Sequence, residues 1–302
     1  MTLAPFASRR MRPLARPSTE PWQTDLNDAE RGRVRLTGRL LRGSKTRCVV
    51  AVHGLGGNSD SGYMALVLRA AHEAGDSCLL LNCRGADRSG ADVYHSGLYA
   101  DLEAALASPE LRAMQRIDLF GYSVGGHIAL RYCCSDKLDA RVGRVAAIGS
   151  PLHLRAAADD FDAASFNIYR HHVMDALKEI YTVAYQQNPR GISPLEARKI
   201  SKIREWDEKI IAPRFGFKNA DDYYESESVG PRLAKLKIEG IYVGGSFDPM
   251  ILASSVKPYL GGKSLKIVWD DSAGHLGFQS GFSLDESAPL GLESQVLSWL
   301  SR

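Results

Sequence analysis

Short apolar runs alternate along this chain with stretches whose apolar residues recur at helical spacing. Strands are predicted at 34–40, 48–52, 78–81, 117–120, 145–148, 238–243 and 265–269, and helical stripes at 64–71, 98–106, 128–132 and 292–300. The first strand alternates apolar and polar residues, as a half-buried strand does, whereas the second is continuously apolar, as a buried parallel strand is. This order predicts βαβ units and an α/β fold with a mostly parallel sheet.

The alternation stops between residues 154 and 230, where no strand is predicted. Apolar positions from Val173 to Ala184 form one helical stripe. A second helix is predicted to open at Ser193 as its N-cap, with Pro194 in its first turn and Glu196 completing a capping box, and to continue through Ile210. This stretch therefore predicts a helical insertion in an α/β scaffold.

Three regions follow from these patterns. Residues 1–30 are predicted to be a basic, flexible leader, 31–153 with 231–302 the α/β core, and 154–230 a helical cap or lid. The leader carries four arginines and no acid before residue 20, so the remainder holds 34 basic and 35 acidic residues. A near-neutral body argues against a nucleic-acid footprint, despite the net charge of +3.

Composition narrows the class of protein further. With 302 residues, 44% of them hydrophobic and 24% charged, the chain resembles an ordinary globular protein. No apolar run is long enough to span a membrane. Its five cysteines show no metal-binding spacing, which predicts reduced thiols and a cytoplasmic location. No site for a metal or an organic cofactor is legible in the sequence, so none is predicted. Peripheral membrane contact and the oligomeric state stay open.

The strongest chemical signal is Gly121-Tyr122-Ser123-Val124-Gly125, a G-x-S-x-G motif between a predicted strand and a predicted helix. That context is typical of a nucleophile elbow, in which a serine sits on a sharp turn with its hydroxyl free above the sheet. The alternative is an ordinary tight turn with a buried serine. The strand–turn–helix setting favours Ser123 as a nucleophile.

A serine nucleophile needs a base to take its proton and an acid to orient that base. Asp248 follows strand 238–243 and His275 follows strand 265–269, in the chain order serine, acid, histidine. Loops after parallel strands open at the same sheet edge, so the three side chains can converge. Rival residues have a better structural explanation: Asp270 and Asp271 as loop acids, His127 as a packed histidine, and His171 with His172 as surface residues.

Two backbone amides should form an oxyanion hole. Val124, directly after the serine, is expected to supply one of them. The other is expected from Leu55, in the loop His53-Gly54-Leu55-Gly56-Gly57 after strand 48–52. A generic glycine-rich turn is the alternative, whereas a phosphate cradle is disfavoured because no G-K-[ST] ending follows.

Motifs in this order resemble the α/β-hydrolase superfamily and, within it, the YheT-like (hydrolase-4) branch. The matching stretches are 53–57 with Ser59, Ser61 and Tyr63; 82–85; 94–97 with Asp101 and Leu102; 121–126; Gly216 and Phe217 with 222–224; Asp248 and Pro249; and 274–278. The resemblance implies a mostly parallel sheet flanked by helices, with a helical cap inserted after the sixth strand. Phe247 and Ala273 depart from the family pattern without touching the triad.

That branch includes esterases, monoacylglycerol lipases and medium-chain alcohol acyltransferases. The resemblance therefore implies a serine ester hydrolase acting through Ser123, His275 and Asp248 on short- to medium-chain or monoacylglycerol-like esters, which are small-molecule substrates. Acyl transfer to an alcohol stays open as an alternative, as does a non-catalytic binding module. The physiological substrate is not specified by these motifs.

Overall fold

A computed structural model describes residues 16–163, 168–261 and 264–302. Its strands are β1 (Glu20–Asp28), β2 (Gly32–Leu41), β3 (Arg47–Val52), β4 (Ser77–Leu81), β5 (Arg116–Tyr122), β6 (Val142–Ile148), β7 (Glu239–Gly245) and β8 (Leu265–Asp270). They form one sheet in the order β1-β2-β4-β3-β5-β6-β7-β8. The first two pairings, β1 with β2 and β2 with β4, are antiparallel, and the rest are parallel.

The helices cover both faces of the sheet and fill the interval between β6 and β7. They are α1 (Met64–Ala74), α2 (Ala100–Leu106), α3 (Pro109–Arg112), α4 (Val124–Cys133), α5 (Leu154–Ala163), α6 (Ile168–Gln187), α7 (Pro194–Ala197), α8 (Ile203–Trp206), α9 (Ala212–Phe215), α10 (Ala220–Glu227), α11 (Ala253–Val256) and α12 (Leu292–Leu300). A π-helical turn, Asp207–Ile211, joins α8 to α9, and short 3₁₀ turns lie at Gly230–Lys235 and Lys257–Tyr259.

Burial explains the continuously apolar central strands. All six residues of β3 and all five of β4 are buried, because helices pack on both faces of the parallel part of the sheet. On one face, α1 and α12 pack against each other through an apolar cluster that includes Val67 and Val296. On the other face, α4 contacts β5 and β6. The carboxyl ends of β3, β5, β6, β7 and β8 therefore open at one edge.

The predicted leader 1–30 is wrong over its second half, because β1 spans Glu20–Asp28. This strand pairs with β2 along its full length, from Glu20 opposite Leu40 to Asp28 opposite Gly32. Its sequence is mostly polar, as an exposed edge strand allows, and only Trp22 is buried. Pairing with β2, rather than an apolar pattern in its own sequence, accounts for this strand. Residues 1–15, with Arg9, Arg10 and Arg12, lie outside the described residues.

The helix predicted to run from Pro194 through Ile210 is two separate helices. The capping box at Ser193 is present, but α7 ends at Ala197. A second helix begins at Ile203, because the Asp162 carboxylate accepts hydrogen bonds from the amides of Ile203 and Arg204 and caps this new start. The capping acid comes from α5, so a local pattern does not reveal it.

Two observations bear on the class of protein. None of the helices in the described residues has the length and apolar character required to cross a membrane. All five cysteines are buried and unpaired, as free thiols in apolar surroundings are.

Candidate active site

Ser123 occupies the sharp turn between β5 and α4. Its backbone has φ 50° and ψ −122°, a conformation that costs energy for a residue with a side chain. The turn is tight because a Cβ atom on Gly121 would lie 2.3 Å from the Gly126 Cα atom, and one on Gly125 would lie 2.2 Å from the Val52 oxygen. The glycines are therefore needed for close approach, and the strained serine is held as a nucleophile elbow requires.

Asp248 and His275 meet directly beyond the ends of β7 and β8. The distance between Asp248 Oδ2 and His275 Nδ1 is 2.7 Å. The other carboxylate oxygen accepts hydrogen bonds from the amides of Met250 and Ile251, at 2.8 and 2.9 Å. When His275 is neutral and its Nδ1–H donates to Asp248, Nε2 carries the lone pair that a general base needs.

Gly149 shows how the strand ends converge. A Cβ atom on Gly149 would lie 3.5 Å from Asp248 Oδ2 and 3.6 Å from His275 Nδ1. Gly149 directly follows Ile148, whose carbonyl oxygen accepts the Ser123 amide at 2.8 Å. The Ser123 hydroxyl makes no hydrogen bond to the described residues, so its contact with His275 would have to tighten when a substrate binds. The triad therefore stays a prediction, now with two members in contact.

The loop after β3 leaves one amide free beside the serine. The Gly54 amide donates to the Tyr63 hydroxyl at 3.1 Å, and the Gly56 amide donates to the Tyr94 hydroxyl at 2.8 Å. Between them, the Leu55 amide has no hydrogen-bond partner among the described residues, and the same holds for Val124 at the start of α4. This is the arrangement of donors that an oxyanion hole needs.

His53 holds the same loop from inside the core. The Cys83 amide donates to its Nε2 at 3.1 Å, so the Nδ1–H donates to the Gly54 oxygen at 2.8 Å. Complete burial lowers the pKa of His53 to about 4, so the ring is neutral and suited to this pair of bonds. His53 therefore fixes the loop rather than acting as a base.

A mostly apolar cavity of about 730 Å³, counting its open mouth, begins at Ser123. The core contributes Leu55 and Val124 to its wall, and the insertion contributes most of the rest, from α5, α6, α8, the π-helical turn and α10. Asp248 and His275 lie outside this lining. The insertion thus encloses the space in front of the serine.

The acids and histidines considered as alternatives to Asp248 and His275 have structural contacts or exposed positions of their own. Asp270 caps the Ser272 amide at 2.8 Å, and Asp271 accepts the Ser246 hydroxyl at 2.7 Å. His127 is buried, with Nδ1 at 2.7 Å from the Pro151 oxygen and Nε2 at 2.9 Å from the Glu227 oxygen. His171 and His172 are exposed on α6.

Sequence reasoning missed two features of this site. Tyr63 and Tyr94 were matched to the family pattern, yet their role in binding loop amides depends on contacts across the fold. Asp207 lines the cavity beside Tyr224, and its residue type alone does not mark it in the sequence. The available signal was Pro213, a proline inside a helical pattern that predicts a local break near Asp207.

Sheet order, the strained serine elbow and the helical insertion together define an α/β-hydrolase fold. A family model described as "Alpha/beta hydrolase family" matches residues 49–281. The chain therefore belongs to the alpha/beta hydrolase family, and the predicted fold class is confirmed.

Proteins of similar sequence and structure agree with this family assignment. The Escherichia coli (strain K12) protein named "Putative esterase YheT" is 25% identical over 84% of this chain and 76% of its own length. The monoacylglycerol lipase of Saccharomyces cerevisiae (strain ATCC 204508 / S288c) is 20% identical over 67% of this chain, which spans only 48% of that protein. The esterase Pf2001 of Pyrococcus furiosus has a TM-score of 0.56 at 16% identity, with 85% of each chain covered, and supports the fold alone.

Proposed function

We propose that the protein is a serine hydrolase that cleaves carboxylic esters. One observation carries this proposal: the strained Ser123 lines the same cavity as Leu55 and Val124, whose amides have no partner among the described residues, while Asp248 and His275 meet beyond the ends of β7 and β8. The names of the relatives, an esterase and a lipase among them, agree with this activity. The activity rests on the site and not on the fold, which hosts many chemistries.

In the proposed mechanism, His275 Nε2 takes the proton of Ser123 as the Ser123 hydroxyl oxygen bonds to the ester carbonyl carbon. The Leu55 and Val124 amides donate to the oxyanion of the tetrahedral intermediate. The leaving alcohol then departs with the proton from His275, and an acyl-serine remains. Water, deprotonated by His275, releases the acid and restores Ser123. Asp248 orients the imidazole and stabilises the imidazolium throughout.

The cavity supports small, apolar esters as substrates. Its walls are largely aliphatic and aromatic, which suits the acyl group of a short- to medium-chain or monoacylglycerol-like ester. Water is the acyl acceptor in the proposed reaction, and transfer of the acyl group to an alcohol is the alternative. The cytoplasmic location stays a prediction.

The experiment replaces Ser123 with alanine and measures p-nitrophenyl esters of two to sixteen carbons. We expect kcat to fall by roughly 10⁴- to 10⁶-fold and fluorophosphonate labelling to disappear. The matched control is Ser150→Ala, because Ser150 is buried at the neighbouring strand end but has no place in the mechanism. Retained turnover or labelling in the Ser123 variant would contradict the proposal. Product analysis with added alcohol separates hydrolysis from acyl transfer.

A further inference from the structure

The cavity contains an acidic side chain in a mostly apolar wall. Among the described residues that line it, Asp207 alone carries a carboxyl group. Asp207 is only 8% exposed, and Trp206 and Ile211 line the cavity beside it. A carboxyl group is rarely buried among such neighbours without a partner, because loss of hydration is costly. Its presence in a substrate cavity therefore needs a chemical explanation.

Only one of the two Asp207 carboxyl oxygens accepts a hydrogen bond from the described residues. The Tyr224 hydroxyl donates to Asp207 Oδ2 at 2.7 Å. Oδ1 has no hydrogen-bond partner among the described residues. Although Arg204 is close enough to affect Asp207 electrostatically, its guanidinium pairs with Asp221 and Asp159. Asp162 also faces Asp207, but its oxygens cap α8. The unpaired oxygen is left for a ligand.

The backbone at Asp207 begins a π-helical turn, which Pro213 explains. Pro213 cannot donate a hydrogen bond to the Lys209 carbonyl, and its ring would collide with that carbonyl in a regular α-helix. The helix widens into a π-helical turn instead, and the Ala212 amide donates to the Asp207 carbonyl oxygen five residues back. Such turns often occur at functional sites.

We propose that Asp207, with Tyr224, binds a hydroxyl group that the substrate ester carries at a distance from its scissile bond. This inference rests on the proposed ester hydrolase, which places the scissile bond at Ser123. Asp207 is then a specificity-determining residue, and the substrate class is a hydroxylated ester rather than a plain alkyl ester.

A hydroxyl group matches both the geometry and the protonation of this site. Burial among apolar residues raises the pKa of Asp207 to about 7, so a protonated carboxyl is well populated at neutral pH. A protonated carboxyl can donate one hydrogen bond and accept another, and a hydroxyl group can do the same in return. A plain alkyl chain would displace water from Oδ1 and leave that oxygen unpaired.

The first test compares p-nitrophenyl esters of six to twelve carbons, with and without a terminal hydroxyl group. We expect the wild type to favour the hydroxylated ester by about 10-fold in kcat/KM at its best chain length. Asp207→Leu should abolish or reverse that preference, and Tyr224→Phe should reduce it. The control Glu225→Gln changes an exposed residue on the same helix as Tyr224 and should keep the preference.

Three outcomes would overturn the proposal. The wild type could favour the plain ester at every chain length. Asp207→Leu could show the same preference as the wild type. Esters with a terminal amino group could be favoured over hydroxylated ones, which would indicate an ion pair with a charged Asp207 instead of a hydroxyl site. Asp207→Asn keeps the shape of the side chain and its ability to form hydrogen bonds. A partial preference for the hydroxylated ester in this variant would show that the loss in Asp207→Leu comes from lost polarity and not from misfolding.

A binding measurement separates this proposal from the ester hydrolase itself. Trp206 lines the cavity, so its fluorescence should report occupancy in the Ser123→Ala protein, with Trp206→Phe to identify its signal. We expect 1,8-octanediol to bind about 10-fold more tightly than 1-octanol, and this difference to vanish in Ser123→Ala/Asp207→Leu. Diol selectivity in the Ser123→Ala protein, with no ester turnover by the wild type, would support the hydroxyl site and refute the proposed hydrolase. Turnover without diol selectivity would refute the site alone.

Discussion

The carboxyl edge of the sheet and the cap each bury an aspartate, and they surround it differently. At the sheet edge, Asp248 receives hydrogen bonds from two backbone amides and from His275. In the cap, Asp207 receives one hydrogen bond, from Tyr224, among largely apolar neighbours. In the cap, burial among apolar neighbours raises the pKa of Asp207 and favours its neutral acid. The two buried aspartates therefore differ in how many hydrogen-bond donors surround them.

The largest expected effect comes from removing the charge at the sheet edge. Asp248→Asn should lower kcat by about 10³- to 10⁴-fold, because an amide can stabilise the wrong tautomer of His275 and cannot support its positive charge. The measurement is steady-state hydrolysis of the best p-nitrophenyl ester. The matched control is Asp271→Asn, since Asp271 lies on the loop that carries His275 but accepts a hydrogen bond from the Ser246 hydroxyl. Equal losses in both variants would refute the assignment of Asp248.

The sheet edge was predictable because its signals are local. The strand–turn–helix context of Ser123 and the strand-end positions of Asp248 and His275 can be counted along the chain, and topology does the rest. The position of the Leu55 amide is also a local signal, because its loop directly follows β3. The hydroxyl groups that accept the neighbouring Gly54 and Gly56 amides come from Tyr63 and Tyr94, which are farther along the chain.

The cap and the first strand were less predictable because their determinants are distant in sequence. The strand Glu20–Asp28 is polar and exists through its pairing with β2. The helix predicted at 194–210 is divided by an acid on α5, Asp162. Asp207 becomes unusual only through the apolar neighbours that packing places around it. Periodicity finds helices in such a region but cannot show which side chains will share a cavity.

A second prediction concerns pH and stability in the cap. The folded pKa of Asp207, about 7, lies above the ordinary value of 3.8, so the folded state holds a proton that the unfolded state has lost between these values. Stability should therefore fall as pH rises from about 4 to about 7. The asparagine of Asp207→Asn cannot ionise, so its free energy of unfolding should not fall over this pH range. Relative to the wild type, this variant should therefore be more stable above pH 7 than at pH 4, by on the order of 2–4 kcal/mol.

Urea unfolding of the wild type and the Asp207→Asn variant from pH 4 to pH 9 measures this difference directly. Glu225→Gln, at an exposed position on α10, is the control and should follow the wild type. If the difference in unfolding free energy between the wild type and Asp207→Asn stayed constant with pH, Asp207 would have an ordinary pKa. The cap would then hold an ordinary carboxylate, and the contrast between the sheet edge and the cap would fail.

The smallest expected effect tests whether the sheet edge depends on its supporting hydroxyl groups. Tyr94→Phe removes the acceptor of the Gly56 amide and should loosen the loop that carries the Leu55 amide. Because the Leu55 amide itself remains, we expect about a 10-fold loss of kcat, below the 10²- to 10³-fold typical of losing an oxyanion donor. Tyr132→Phe is the control, since its hydroxyl binds Lys137 and Asp139 on another loop. A loss confined to KM would show that Tyr94 shapes the cavity instead of positioning the oxyanion loop.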